Sequence, residues 1–445
     1  MAEASALAFG RYLRQLRERR GFSLARVCEL STSSPEPIDK GTISRLERGQ
    51  QTPSIFRLGP LCRIYEVPPD ALIERMELDR EVDRIGVPDT GGRTFDDLYH
   101  AGGDAVVHGN RKWEAYVCFR DALPLAPPDK RIPAWINLVT MIRSLGKSAL
   151  ALHELRELTA SGELDPGQSA LVQERMSNCC RCLGDMKQAE AHADAAIEQA
   201  RRIGDSRILA HALSTRASAA IDQEQWSVAN DYLLQALAAY RDGVGSVSQL
   251  LPSPVFEAQA FLSLAECSLN GRNLSRARRL TLAAQRMGKD HGLPQCLAYC
   301  ELFLGWLDEA DGQVDRALSR WRRATALAGQ INSKRIAFTA EVEILRQATS
   351  VGDAGRARAS KRRLARLAPW VPRHIPAYRR YQELIQQGNA RLPRVREGDA
   401  HEEPEHISDV DVGRGTVVDI DRRRDDRRRR NAAGPERQRI TTDLG

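Results

Sequence analysis

Seven alanines recur in phase through the middle of the chain: Ala115, Ala151, Ala189, Ala229, Ala277, Ala317 and Ala357, at steps of 36, 38, 40, 48, 40 and 40 residues. Seven residues beyond each stands Ala122, Leu158, Ala196, Ala236, Ala284, Ala324 and Leu364. Positions seven apart share one face of an α-helix, and alanine there lets a second helix cross closely. Each period also carries a glycine or polar turn ahead of its alanine, so it holds two helices. One such hairpin cannot bury its own apolar face, and the copies must therefore stack into an α-solenoid. The pattern runs from residue 94 to 387 and predicts about seven helix pairs.

The clearest copies are Leu183-Gly184-Asp185-x3-Ala189-x6-Ala196 and Gly305-x6-Gly312-x4-Ala317-x6-Ala324. They resemble tetratricopeptide repeats, and the first repeat of the array, the one carrying Ala115 and Ala122, ends in Pro127, where that family often has proline. The periods are longer than the family's, which predicts longer helices or loops. Gly243-Val-Gly245-Ser-Val-Ser and Pro252-Ser-Pro254 fall in the 48-residue step and predict a loop or flap there. A solenoid of this kind curves, and the first helix of each pair lines the concave side. Counting back from the alanines places Thr140, Arg143, Glu174, Asn178, Arg181 and His211 in that groove, with Gln259, Glu266, Glu309 and Arg346 further along. Asn178 and Arg181 sit three apart on one face, and a side-chain amide there can both donate to and accept from a peptide backbone.

Ahead of the array, residues 1–80 read as five short helices. Phe9, Leu13 and Leu16 form one amphipathic face, with Arg11, Arg14, Arg17, Arg19 and Arg20 around it. Gly21 ends that helix, and Ser23 caps a second carrying Leu24, Val27 and Leu30. A third runs from Asp39 to Arg48 and stops at Gly49. Thr52 is expected as the next N-cap and Pro53 as the first residue of a fourth helix, which holds Ile55, Leu58, Leu61, Ile64 and Tyr65. Val67-Pro68-Pro69-Asp70 breaks it, and Ala71, Leu72, Ile73 and Met76 open a fifth. In the third helix Ile43 and Leu46 face inward, while Thr42, Ser44, Arg45 and Arg48 project elsewhere. A short helix with a polar, cationic outer side fits a DNA major groove.

The string Thr42-Ile43-Ser44-Arg45-Leu46-Glu47-Arg48-Gly49-x-x-Thr-Pro-Ser, with Gly21-x-Ser23 upstream, resembles the Cro/repressor-type helix-turn-helix of the Xre family over residues 9–78. The resemblance implies that the third helix is the recognition helix, with Asp39 as its N-cap. It implies that Lys40, Thr42, Ser44 and Arg45 lie nearest the base edges, and that Arg48 and Gln50 lie near phosphate. It implies that Arg17 and Glu47 pair beneath the surface. One departure stands out: Ser31-Thr32-Ser33-Ser34-Pro35-Glu36-Pro37 makes the junction between helices two and three about five residues longer than the family's. Gly41 also lowers helix propensity within the reading helix.

The remaining sequence narrows the function. No Gly-x4-Gly-Lys, His-Glu-x2-His or Gly-x-Ser-x-Gly string is present, so no catalytic site, metal or cofactor is expected. The net charge of +7 favours a polyanionic partner, and no apolar run nears the ~20 residues of a membrane span. The first residues lack a signal-peptide pattern, which predicts a cytoplasmic protein. Among nine cysteines, Cys179-Cys180-x-Cys182 and Cys296-x3-Cys300 are the only clusters, and they read as small buried residues at helix contacts. Residues 81–93 read as a linker, and 388–445 as a disordered charged tail containing Arg422-Arg423-Arg424-Asp425-Asp426-Arg427-Arg428-Arg429-Arg430. The whole is expected to be all-α: a helix-turn-helix head, an α-solenoid body and a tail. The combined resemblance, close to peptide-responsive bacterial regulators, implies a homodimer that binds double-stranded DNA and senses a peptide or protein ligand in its groove. The alternative is an adaptor whose repeats scaffold a complex, with a head that only packs or localises.

Overall fold

The computed structural model describes residues 2–34, 36–86, 90–109, 111–162, 164–242 and 253–390. The Gly243 to Pro252 segment and the charged tail therefore lie outside the described residues. Those described are helical throughout, with no strand among them. The head consists of α1 (Ala2–Arg19), α2 (Leu24–Ser31), α3 (Lys40–Glu47), α4 (Ile55–Tyr65) and α5 (Pro69–Ile85). The body pairs α6 (Phe95–Gly109) with α7 (Lys112–Ala122), α8 (Pro128–Ser144) with α9 (Ser148–Ala160), and α10 (Pro166–Leu183) with α11 (Met186–Ile203). It continues with α12 (Ser206–Asp222) and α13 (Trp226–Asp242), α14 (Ser253–Asn270) and α15 (Leu274–Asp290), α16 (Pro294–Ala310) and α17 (Val314–Gln330), and α18 (Lys334–Ser350) and α19 (Ala354–Leu367). A last helix, α20 (Pro376–Ala390), packs on α18.

Every in-phase alanine falls on the second helix of a pair, and six of the seven are completely buried. Ala357, on α19 at the end of the array, is half-buried. The second set is buried throughout, from Ala122 to Leu364. Small buried alanines at regular intervals, clustered with larger apolar side chains, thus let a chain with only 5% aromatics build a core of this length.

Three boundaries differ from the sequence expectation. The segment read as a linker is helical as far as Ile85, because α5 continues until Gly86 turns the chain at φ +67°. The last helix extends to Ala390, past the expected start of the tail at 388. The fourth helix starts at Ile55 behind Ser54, so Thr52 and Pro53 are neither its cap nor its first residue. Pro53 is instead buried against the head.

The head is seated on the first two repeats. Glu154 of α9, buried, accepts hydrogen bonds from Tyr12 Oη at 2.9 Å and Trp135 Nε1 at 3.1 Å, and Arg19 Nη1 lies 3.3 Å away. Arg20 pairs with Glu157 at 2.8 Å, and Glu74 accepts from the Leu150 amide at 2.8 Å. One apolar cluster runs without a break from Phe9 and Leu13 of α1 to Val172 and Cys179 of α10. The docking surface is thus built from α1 and α5.

Candidate functional sites: the α3 face and the repeat groove

The local chemistry of α3 starts at its cap. Asp39, in extended backbone, accepts from the Thr42 amide at 2.8 Å and from the Thr42 hydroxyl at 2.6 Å. Those two bonds hold its carboxyl below the usual carboxylate range. Thr42 Oγ1 in turn accepts from Arg45 Nη2 at 2.9 Å. Thr42 is only 2% exposed, so it is a strut between cap and arginine and cannot reach a base edge, contrary to the expectation for it. Its neighbours differ. Lys40, Arg45, Arg48 and Gln50 are exposed, and Ser44 is half-buried. Arg48 Nε donates to the Ser44 carbonyl at 3.1 Å. Among the described residues, Lys40, Arg45 and Arg48 form no ion pair.

The underside of α3 is fixed by Arg17 of α1. Its guanidinium forks onto Glu47, with Nε to Oε1 at 2.6 Å and Nη2 to Oε2 at 2.9 Å, and Nη1 donates to the Phe22 carbonyl at 2.8 Å. The side chains are 12% and 8% exposed. The long junction before α3 is stapled too: Ile38 is buried in the head core, and its amide donates to Ser31 Oγ at 2.9 Å. The added residues therefore leave α3 anchored.

Two glycines, Gly10 and the helix-ending Gly49, bring α1 against α3. A Cβ on Gly10 would lie 2.4 Å from the Leu46 carbonyl oxygen and 2.7 Å from that of Glu47. A Cβ on Gly49 would lie 2.5 Å from Leu7 backbone atoms, and Gly49 also holds φ +68°. The neighbours are backbone and cannot rotate away. Gly10→Ala should therefore cost about 1–3 kcal/mol by overpacking, measured as lost head protection in hydrogen exchange of the full chain. Unchanged exchange would mean that α1 and α3 separate freely.

The second site is the concave side of the body, a cavity of about 970 Å³ lined chiefly by the first helices of the pairs, α10, α12, α14, α16 and α18, and by α20. Of the expected groove residues, Arg181, Gln259, Glu266, Glu309 and Arg346 line it. Thr140, Arg143, Glu174, Asn178 and His211 do not line it, which corrects the expectation for those five. Thr140 spends its hydroxyl on the Ile136 carbonyl at 2.8 Å. Asn178 Nδ2 donates to Glu174 Oε1 at 2.7 Å and Thr215 Oγ1 at 3.0 Å, so this amide bridges α10 to α12. His211 is buried with its ring 4.9 Å from that of Phe256, and burial lowers its pKa to about 4, leaving it neutral.

The cavity's charges are almost all paired. Arg181 Nη1 lies 2.6 Å from Asp222, which also faces Arg335 at 3.5 Å. Arg346 bridges Glu309 at 2.5 Å and Glu343 at 2.8 Å, and Glu343 also holds Arg380 of α20. Arg379 reaches Glu224 at 2.9 Å, joining α20 to the far side of the groove. Arg335, Thr339 and Glu343 were not singled out from sequence. They stand at steps of four along α18, one turn apart, leading to Arg346, so a stripe count on that helix would have found them.

Residues 8–76 match the helix-turn-helix domain, and residues 168–242 match the tetratricopeptide repeat. Among curated proteins none matches the sequence. Of solved structures, a Rap protein complexed with competence and sporulation factor is 12% identical over 85% of this chain and 99% of its own, at a TM-score of 0.51. The Rap conjugation gene regulator of plasmid pLS20, in complex with the Phr* peptide, is 12% identical over 88% of this chain and 98% of its own, at a TM-score of 0.50. The PlcR protein of Bacillus thuringiensis, in complex with the peptide PapR7 and DNA, is 14% identical over 67% and 99%, at 0.39. The chain thus carries a helix-turn-helix domain followed by tetratricopeptide repeats.

Proposed function

We propose that this chain is a cytoplasmic transcription regulator that acts as a homodimer. Its head reads double-stranded DNA through α3, and its groove holds a peptide or protein signal. The observation that carries the first half is the outer side of α3, where Lys40, Arg45 and Arg48 stand exposed without carboxylate partners on a helix locked by Asp39 and Arg17. Cations left unneutralised on a rigid helix suit phosphate and guanine. The head docks through α1 and α5, so seating on the repeats leaves that side free; this favours the regulator over an adaptor with a packing head. The two Rap proteins of like fold are complexes, one with competence and sporulation factor and one with the Phr* peptide, which supports reading the body as a ligand-holding sensor.

Selection from a random DNA pool with the full chain tests the reading. Two heads on one face of a duplex require half-sites about 10 base pairs apart or a multiple of that. Arg45 is the long cation at the centre of the reading side. An arginine bonded to guanine through two parallel hydrogen bonds contributes about 1–3 kcal/mol of discrimination. Arg45→Ala should therefore flatten preference at one position of each half-site, while Arg48→Ala should reduce the log–log salt slope by about 1 without altering preference. A selection profile for Arg45→Ala identical to that of the wild type would place the reading face elsewhere. A pool with no enriched sequence would favour the adaptor.

A further inference from the structure

The groove's charge pattern says more about its occupant than its shape does. Each charged side chain lining the cavity has an ion-pair partner, with one exception among the described residues. The exception is Glu266 of α14. Its carboxylate has no ion pair and no hydrogen bond, although Arg335 of α18 and Asp222 of α12 both face it within electrostatic range. Arg335 is committed to Asp222, and Asp222 repels a second carboxylate. Burial, more than either neighbour, pushes the Glu266 carboxyl up to about 7. Glu266 is half-buried in the cavity wall, and a carboxyl group left there without a donor is a ready acceptor for a ligand's cation. The same cavity is lined by the aromatic residues Tyr299, Phe303 and Trp306 of α16, with Phe303 and Trp306 stacked at 5.3 Å. Aromatic faces attract cations in a desolvated setting.

We infer that the middle of the groove is a cation-selecting subsite, in which Glu266 takes the ammonium or guanidinium group of the ligand beside an aromatic wall. The ligand class is then a peptide that presents one lysine, arginine or free amino terminus among apolar residues. This rests on the proposal that the groove holds a peptide. A free diamine offers the same chemistry, so the test includes one. Placing a single cation there completes the charge pairing of the lining, whereas an acidic ligand would meet the unpaired Glu266 carboxylate.

The experiment uses the full chain and three synthetic heptapeptide pools with the same apolar background, all acetylated at the amino terminus and amidated at the carboxyl terminus so that the varied position alone carries charge. They differ at one position, which is Lys or Arg, Gln, or Glu. Retention on the protein after gel filtration is read by mass spectrometry, and putrescine is tested separately by thermal shift. The cationic pool should be retained about tenfold over the neutral pool, the effect of one charge-assisted hydrogen bond. Glu266→Gln should erase that preference while still retaining neutral peptides. A second measurement needs no variant. Glu266 must lose its proton to pair, so retention of the cationic pool by the wild type should rise from about pH 6 to about pH 8 while the neutral pool stays flat. Equal retention of all pools would overturn this inference and leave the peptide groove standing. Retention of no pool, with a putrescine shift lost in Glu266→Gln, would keep the cation subsite and remove the peptide. No retention and no shift would overturn both.

Discussion

Glu47→Ala is expected to destabilise the head by about 3–5 kcal/mol, because it strands the Arg17 guanidinium in a largely covered site without its bidentate partner. The two side chains are 12% and 8% exposed, and the pair is bidentate at 2.6 and 2.9 Å. A surface pair of the same chemistry would contribute no more than about 1 kcal/mol. The two magnitudes are far enough apart for one measurement to decide. After the substitution Arg17 keeps its bond to the Phe22 carbonyl and a long 3.7 Å approach to the exposed Glu18, at the end of a helix where α1 must also hold Gly10 against the α3 backbone. Hydrogen exchange of the full chain is the suitable readout, since it separates opening of the head from unfolding of the repeats. Head amides should lose protection in Glu47→Ala while those of α14 to α18 keep theirs. Replacing both partners with apolar residues, Arg17→Met with Glu47→Leu, should recover much of the loss, because no charge is then left buried. A loss under about 1 kcal/mol for Glu47→Ala would mean that water reaches the pair, and α3 would then be held by Ile38, Ile43 and Leu46 alone.

Different kinds of physics decide what could be read from sequence. The solenoid was legible because its defining contact is local: an alanine must recur wherever α7, α9, α11 and their successors cross a neighbour, and the phase survives unequal loops. Caps were legible where one residue could serve, as with Ser23 and Asp39, each of which accepts from an amide three residues on. They failed where two candidates competed. Thr52 and Ser54 could each precede α4, and burial of Pro53, a tertiary contact, settled the start at Ile55. Thr42 failed for a related reason. Helix geometry says that it points away from Ile43, yet its hydroxyl turns back to Asp39 and the side chain is covered. The groove was legible as a set of helices but only partly as a set of side chains. Asn178 is engaged by Thr215, 37 positions away, and Arg181 by Asp222, 41 positions away. Such pairings between successive first helices leave no trace in either helix's own pattern.

The body should respond most strongly at Trp321. This side chain of α17 is completely buried, and it reaches that position because Gly305 of α16 has no Cβ, which would lie 2.3 Å from the indole nitrogen. Trp321→Ala should cost about 3–5 kcal/mol, the loss of a large buried ring plus the cavity that it leaves. Gly305→Ala attacks the same contact from the other side and should cost about 1–3 kcal/mol by overpacking. The two substitutions together should be less damaging than their sum, since the added methyl group enters the space the indole vacates. Trp321→Phe gives a finer test. The indole N–H has no hydrogen-bond partner, so phenylalanine loses volume but also removes an unsatisfied donor, and its cost should fall well short of that of alanine. In a stacked array each repeat leans only on its neighbours, so lost protection should centre on α16 and α17 and fade toward α8. The same α16 carries Tyr299, Phe303 and Trp306 into the groove. Trp321→Ala should therefore weaken retention of any groove ligand while DNA binding by the head stays at the wild-type level. A full-chain denaturation curve for Trp321→Ala within about 1 kcal/mol of the wild type would mean that the α16 and α17 contact can close around the loss, and the register of α16 would then have to be set from its groove side.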